Sequence, residues 1–163
     1  MKTASMLLAL VVAAPLLAAD SRHVEVDDKT DFRAFKTFQI HEGRATSRKP
    51  EIDNALTLKT IEDAIRATLS SKGLKETQTG PDLVVTFNVK EEGQRVVTGA
   101  GIRNMKASSH SVGTLVIDMT RSDTNSIVWH GTSLDDETTA ASLAKNLPGD
   151  AKKLLSGYPP KKK

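Results

Sequence analysis

Asp118, His110 and His130 are the side chains in this sequence best suited to contact a ligand or partner. Asp118 interrupts a strongly alternating run. Leu115, Ile117 and Met119 take one set of positions, and Thr114, Val116, Asp118 and Thr120 take the other. A carboxylate in mid-strand costs little where it meets water, and needs an arginine or backbone amide donor where it does not. Its half-polar set predicts a surface or partly covered position. His110 stands between Ser109 and Ser111, and His130 follows Trp129. An active site assembled from dispersed Asp, His and Ser is the enzymatic alternative. Serine catalysis needs a base oriented by a third group, and none of the serines occupies a glycine-flanked nucleophile elbow. No catalytic residue is assigned.

The histidines are His23, His41, His110 and His130. None pair at the four-residue helical spacing of a zinc protease with a glutamate between them. Three gathered around zinc is the sharper alternative, but solvent-facing side chains explain the scatter more simply. Neither a metal nor a cofactor is expected. Asp135, Asp136 and Glu137 form an acidic cluster at a predicted strand end. Acid–base work requires carboxylates held across a substrate. Adjacent residues in a loop suit solvation or a helix start, where acids meet exposed amides. Gly99 to Gly101 lacks the spacing of a phosphate-cradling loop.

Composition narrows the classes. There are 23 Lys and Arg against 20 Asp and Glu, a formal net charge of +3. So small an excess does not predict nucleic-acid binding, which needs positive charge gathered on one face. The six aromatics are Phe32, Phe35, Phe38, Phe87, Trp129 and Tyr158. A core needs most of them, which leaves few for a stacking platform. There is no cysteine. That excludes disulfides, thiolate zinc sites, a cysteine nucleophile and a lipid-anchoring thiol.

Residues 1–19 predict export. Lys2 precedes an apolar run from Met6 to Ala19, broken at Pro15, and the chain turns polar at Asp20. This is the layout of a secretory signal, too short for a comfortable membrane span of roughly 20 apolar residues. Cleavage after Ala19 is expected, leaving 20–163 as a single domain in the periplasm or medium. The lysines at 152, 153 and 161–163 lack an adjacent apolar anchor, so membrane association of the mature form is weak or absent.

The elements that must position these residues follow from periodicity. Val24 and Val26 alternate with His23, Glu25 and Asp27 as a short edge strand. Phe32, Phe35 and Phe38 read as core residues at a turn leading into a strand over 36–41. Residues 42–51 read as a basic loop. Leu58, Ile61, Ile65 and Leu69 give one apolar stripe to a long helix over about 52–72, capped by Asp53 or Asn54. Gly73 ends it, with Leu74 folding back onto Leu69. Leu83, Val85, Phe87 and Val89 define a strand, with a turn at Glu91 to Gly93 and a return strand over 95–98. Residues 99–111 are the least constrained. Strands over 112–120 and 127–134 form an antiparallel hairpin, with Ile127 and Trp129 on one side. Leu143, Leu147, Ala151 and Leu154 keep a helical spacing that Pro148 interrupts, predicting two short C-terminal helices.

In these terms the sequence resembles the DUF4136 family of uncharacterised bacterial envelope proteins and lipoproteins. The matching stretches are Asp31 to Phe38, Ile61 to Ile65, Lys72 to Leu74, Pro81 to Phe87, Gly113 to Asp118, Ile127 to Gly131 and Tyr158 to Pro160. The resemblance implies an α+β domain: a mainly antiparallel sheet with the long helix and short C-terminal helices packed on it. It implies no catalytic residues. Many relatives carry a lipidated cysteine; this chain has none, which favours a soluble periplasmic form. Many also have a long glycine-rich insertion before the hairpin, a region marked here only by Gly93, Gly99, Gly101 and Gly113. The expected function is binding of another envelope protein or a cell-wall component, without catalysis. A small-ligand-binding domain is the first alternative and a hydrolase the second.

Overall fold

A computed structural model of the protein describes residues 21–41, 43–98 and 106–160. The expected export signal, Gly99 to Gly101 and the three final lysines lie outside the described residues. Among the described residues, seven strands and two helices make an α+β domain. The strands are β1 (Ser21–Val26), β2 (Thr37–Ile40), β3 (Arg44–Thr46), β4 (Lys75–Glu76), β5 (Leu83–Thr98), β6 (Lys106–Arg121) and β7 (Ser126–Glu137). The helices are α1 (Ala55–Ser71) and α2 (Ala140–Leu155). The sheet runs β1-β7-β6-β5-β2-β4, with β3 pairing β5 off that path. The β1, β7, β6 and β5 ladders are antiparallel, and β2, β3 and β4 add parallel pairs.

Both helices cover one face of the sheet. Ile61, Ile65 and Leu69 of α1 and Leu143, Leu147, Ala151 and Leu154 of α2 are buried with Leu83, Val85, Phe87, Val89, Leu115, Ile117 and Met119. Helical spacing on one side and strand alternation on the other bring these residues into one core. Phe32 and Phe38 join it, and Phe35 packs against it. Asn54 caps α1 by accepting the Thr57 N–H at 2.9 Å. At the other end Gly73 takes φ +92°, and the Gly73 and Leu74 amides donate to Ser70 and Leu69. This is the Schellman closure that the glycine predicts.

Four local expectations need correction. Residues 42–51 are not wholly loop, because Arg44–Thr46 pairs with Asn88 to Lys90 of β5. There is no turn at Glu91 to Gly93 and no separate return strand. β5 continues to Thr98 because β6 pairs with it over its whole length, from Leu83↔Arg121 to Thr98↔Lys106. The least constrained stretch is correspondingly shorter, since 106–111 belong to β6. Ile127 and Trp129 do not share a side: Ile127 is 59% exposed and Trp129 1%. Met119 faces Trp129 while Thr120 faces Ile127, so Val128 is an extra residue in the ladder. That bulge turns both Val128 and Trp129 inward.

The C-terminal stretch is also one helix, with Pro148 inside it, where two were expected. Proline removes one intrahelical bond and crowds the preceding turn. Each buried Leu is worth about 1.5–3 kcal/mol. Leu143, Leu147, Leu154 and Leu155 together outweigh the defect, and all four are buried on the same stripe.

Candidate functional site

The sheet face away from the helices is polar and bare of helical cover. Asp118 and His130 stand opposite each other on β6 and β7, with Thr86 beyond Asp118 on β5 and Glu25 beyond His130 on β1. Directly opposed residues share a face, so the four side chains form one row. The imidazole Nδ1 lies 2.6 Å from the Asp118 carboxylate, and Nε2 lies 3.1 Å from the Thr132 hydroxyl. Both Asp118 and His130 are half-buried. Val116, Asn88 and Arg44 continue the next row from Thr132. A groove of about 400 Å³ beside Asp118 is lined by His41, Arg44, Thr86, Phe87 and Asn88.

The order carboxylate, imidazole, hydroxyl is that of a nucleophilic triad, but the surroundings are those of a strand. Thr132 sits on β7, which pairs with β1 on one edge and β6 on the other. The backbone amides around it serve those ladders, so they are not free to stabilise an oxyanion. The row is a hydrogen-bonded stripe on an open surface.

His110 is not part of that row. It is eight residues from Asp118 along β6, roughly 27 Å at the rise of an extended strand. It pairs instead with Asp136, Nδ1 to Oδ1 at 3.1 Å. The three sequence-predicted residues therefore divide between two places. The acidic cluster does not start a helix: Asp135, Asp136 and Glu137 end β7, and Thr139 caps α2 by accepting the Ser142 N–H. Asp135 and Glu137 both accept from the Asn146 side chain, at 3.1 and 2.6 Å. Among the described residues no group of three or more His, Cys, Asp or Glu is arranged to hold a metal.

Glu91 went unseen in the sequence because it was read as a turn. It continues the inward register of Leu83, Val85, Phe87 and Val89, and is only 8% exposed. Its Oε2 accepts from the Ser47 hydroxyl at 2.7 Å, and Oε1 is buried with no hydrogen-bond partner among the described residues. Extending the alternation two residues past Val89 would have placed a carboxylate on the core face. Glu91 lines a cleft of about 610 Å³ with Ser47, Arg48, Lys49, Lys90 and Gly93. A neighbouring cleft of about 460 Å³ shares Lys49 and Gly93 and reaches Arg95, Ser109 and Thr139.

Fold and surface define a two-layer α+β domain with one helix-covered face, one open polar face and clefts at the base of a long ribbon. The chain belongs to the DUF4136 family, a domain of unknown function whose pattern matches residues 22–160. No curated protein sequence matches it significantly. Several solved structures share the fold. A DUF4136 family protein from Bacteroides thetaiotaomicron is 13% identical with a TM-score of 0.54, over 84% of this chain and 92% of that one. A PDZ domain protein from Parabacteroides distasonis is 15% identical with a TM-score of 0.64, over 88% of this chain. This chain spans 36% of that protein's length. The PelC dodecamer subunit from Paraburkholderia phytofirmans is 15% identical with a TM-score of 0.50, over 83% and 96%.

Proposed function

We propose that this chain is a non-catalytic binding module, exported by residues 1–19 to the periplasm, which engages another envelope protein through its β5–β6 ribbon. One observation carries the reading: the ribbon outruns its neighbours. β3 pairs with β5 only up to Lys90, and β7 pairs with β6 only from Ser111. Residues 94–98 and 106–110 therefore pair only with each other among the described residues, and 91–93 pair only with β6. A lone two-stranded hairpin is marginal in water, and its outer edges offer unpaired backbone groups to an added strand. Val97 is 50% exposed on it.

A photo-reactive residue at Val97, in cells at native expression, tests this. A discrete adduct with an envelope protein is expected. A probe at Ile127, exposed at the opposite end of the sheet, is expected to give none. No adduct from 97, or the same adduct from both positions, overturns the reading.

The small-ligand reading keeps one support, the clefts at the ribbon base. Between α1 and the sheet, Ile61, Ile65 and Leu69 are fully buried.

A further inference from the structure

We infer that the cleft at the N-terminus of α2 binds a phosphate group, held by the Ala140 and Ala141 amides, the Ser111 hydroxyl, Lys49 and Arg95. This goes beyond ribbon-mediated protein binding and gives the small-ligand reading a chemical class.

A buried hydroxyl without a partner marks the place. Ser111 continues the inward register of Gly113, Leu115 and Ile117 on β6 and is only 5% exposed. Its side chain makes no hydrogen bond among the described residues, and it lines the cleft of about 460 Å³. A hydroxyl buried without a hydrogen bond costs free energy that a ligand oxygen in the cleft recovers. The way to it is clear. The residue opposite Ser111 on β5 is Gly93, and a β-carbon at that position would meet nothing within 4 Å.

The donors around that space suit an anion. Thr139 caps α2 by accepting the Ser142 N–H at 3.1 Å, and its carbonyl accepts the Leu143 N–H. The N–H groups of Ala140 and Ala141 have no acceptor within the helix, and both residues line the cleft. Free amides and the positive end of the helix dipole favour negative charge there. Lys49 and Arg95 line the same cleft, are exposed, and form no ion pair among the described residues. Glu51 is the one carboxylate in that lining among the described residues, against two cations and the helix end. A carboxylate ligand, with two oxygens in one plane, leaves part of this donor set idle. The tetrahedral oxygens of phosphate can meet hydroxyl, amides and cations together.

Amide shifts of the 15N-labelled protein, followed on adding inorganic phosphate or acetate, provide the test. Phosphate is expected to cause saturable shifts at Ser111, Ala140 and Ala141, with acetate weaker. Lys49→Gln and Arg95→Gln are each expected to weaken phosphate roughly tenfold, the worth of a hydrogen bond to a charged group. Lys90→Gln removes the same charge beside the cleft, but Lys90 is engaged by Glu92 at 2.7 Å, so binding is expected to be unchanged. Gly93→Val fills the space beside Ser111 and is expected to weaken phosphate while circular dichroism stays as in the parent. Absence of saturable shifts, acetate as tight as phosphate, or an equal loss from Lys90→Gln overturns the inference. Co-sedimentation with phosphatidylcholine vesicles containing phosphatidic acid, lost in Arg95→Gln, would identify a lipid headgroup as the source of the phosphate. Saturable phosphate shifts without co-sedimentation identify a soluble one. An Arg95→Gln protein that loses phosphate but keeps the Val97 adduct separates this site from the ribbon's partner.

Discussion

The ring of Phe87 lies directly over Gly43: a β-carbon at position 43 would sit 1.9 Å from Cζ and 2.2 Å from Cε2. Phe87 is buried in a close-packed core, so its ring cannot retreat without opening a void elsewhere. Gly43 leads into β3, and this close approach seats β3 against β5 and Ser47 beside Glu91. Gly43→Ala is expected to lower stability by about 1–3 kcal/mol, the usual cost of overpacking. The urea midpoint measures it. An unchanged midpoint would mean that β3 shifts freely.

Asp82 ties β2 to β5. Its Oδ2 accepts from the Lys36 and Thr37 amides and the Thr37 hydroxyl, at 2.8 to 2.9 Å. The Lys36 N–H, foremost among these donors, holds the carboxyl below its ordinary range, and burial opposes the shift. A depressed folded value means that the stabilisation is complete above the unfolded value, near 4, and is lost as pH falls through the folded one. Asp82→Asn is expected to be less stable than the parent by a constant amount from pH 5 to 8. The gap is expected to close below about pH 4. Denaturant titrations of both proteins across that range check it. A gap that persists into acid contradicts the assignment.

The Asp118–His130–Thr132 chain specifies a tautomer. With Nδ1 against the carboxylate and Nε2 against a hydroxyl, the neutral ring carries its proton on Nδ1 and accepts from Thr132. Long-range 15N–1H spectra of the His130 ring are expected to show that form. Asp118→Ala is expected to abolish the preference while changing stability by no more than about 1 kcal/mol, as for a half-exposed pair. An Nε2–H ring in the parent would refute the arrangement.

Pro148 sits inside α2 and cannot donate to the turn before it. Pro148→Ala supplies that N–H and removes the ring's crowding. It is expected to raise stability by about 1–2 kcal/mol, less than the full penalty of a helical proline because the unfolded chain also gains freedom. Thermal unfolding measures the change. A lower Tm would show that the proline ring contributes packing that alanine cannot replace.

Much of the fold was legible because it rests on short-range patterns. The stripe Ile61, Ile65, Leu69 and the close at Gly73 define α1 without reference to anything distant. The alternation of Leu83 to Val89 and of Leu115 to Met119 likewise defines two strands and their inward faces. Site reading was weaker. Asp118 was recognised as a carboxylate in a strand, but His130 as its partner was not legible, because their meeting depends on cross-strand register. Grouping His110 with them was a matter of residue type, and strand length separates it.

By itself, the sequence determined the elements with strong periodicity, the buried faces of α1, β5 and β6, and the absence of thiol chemistry. Those follow from side-chain type and spacing along the chain. Tertiary structure alone decided the rest. β6 carries β5 through the glycine at 93 where a turn was expected, and so swings Glu91 onto the core side. The bulge at Val128 reverses Ile127, and the buried leucines hold α2 continuous across Pro148. In each case a local preference worth about 1–3 kcal/mol is outweighed by pairing or burial with residues distant in sequence, and periodicity along one segment carries no information about that contest.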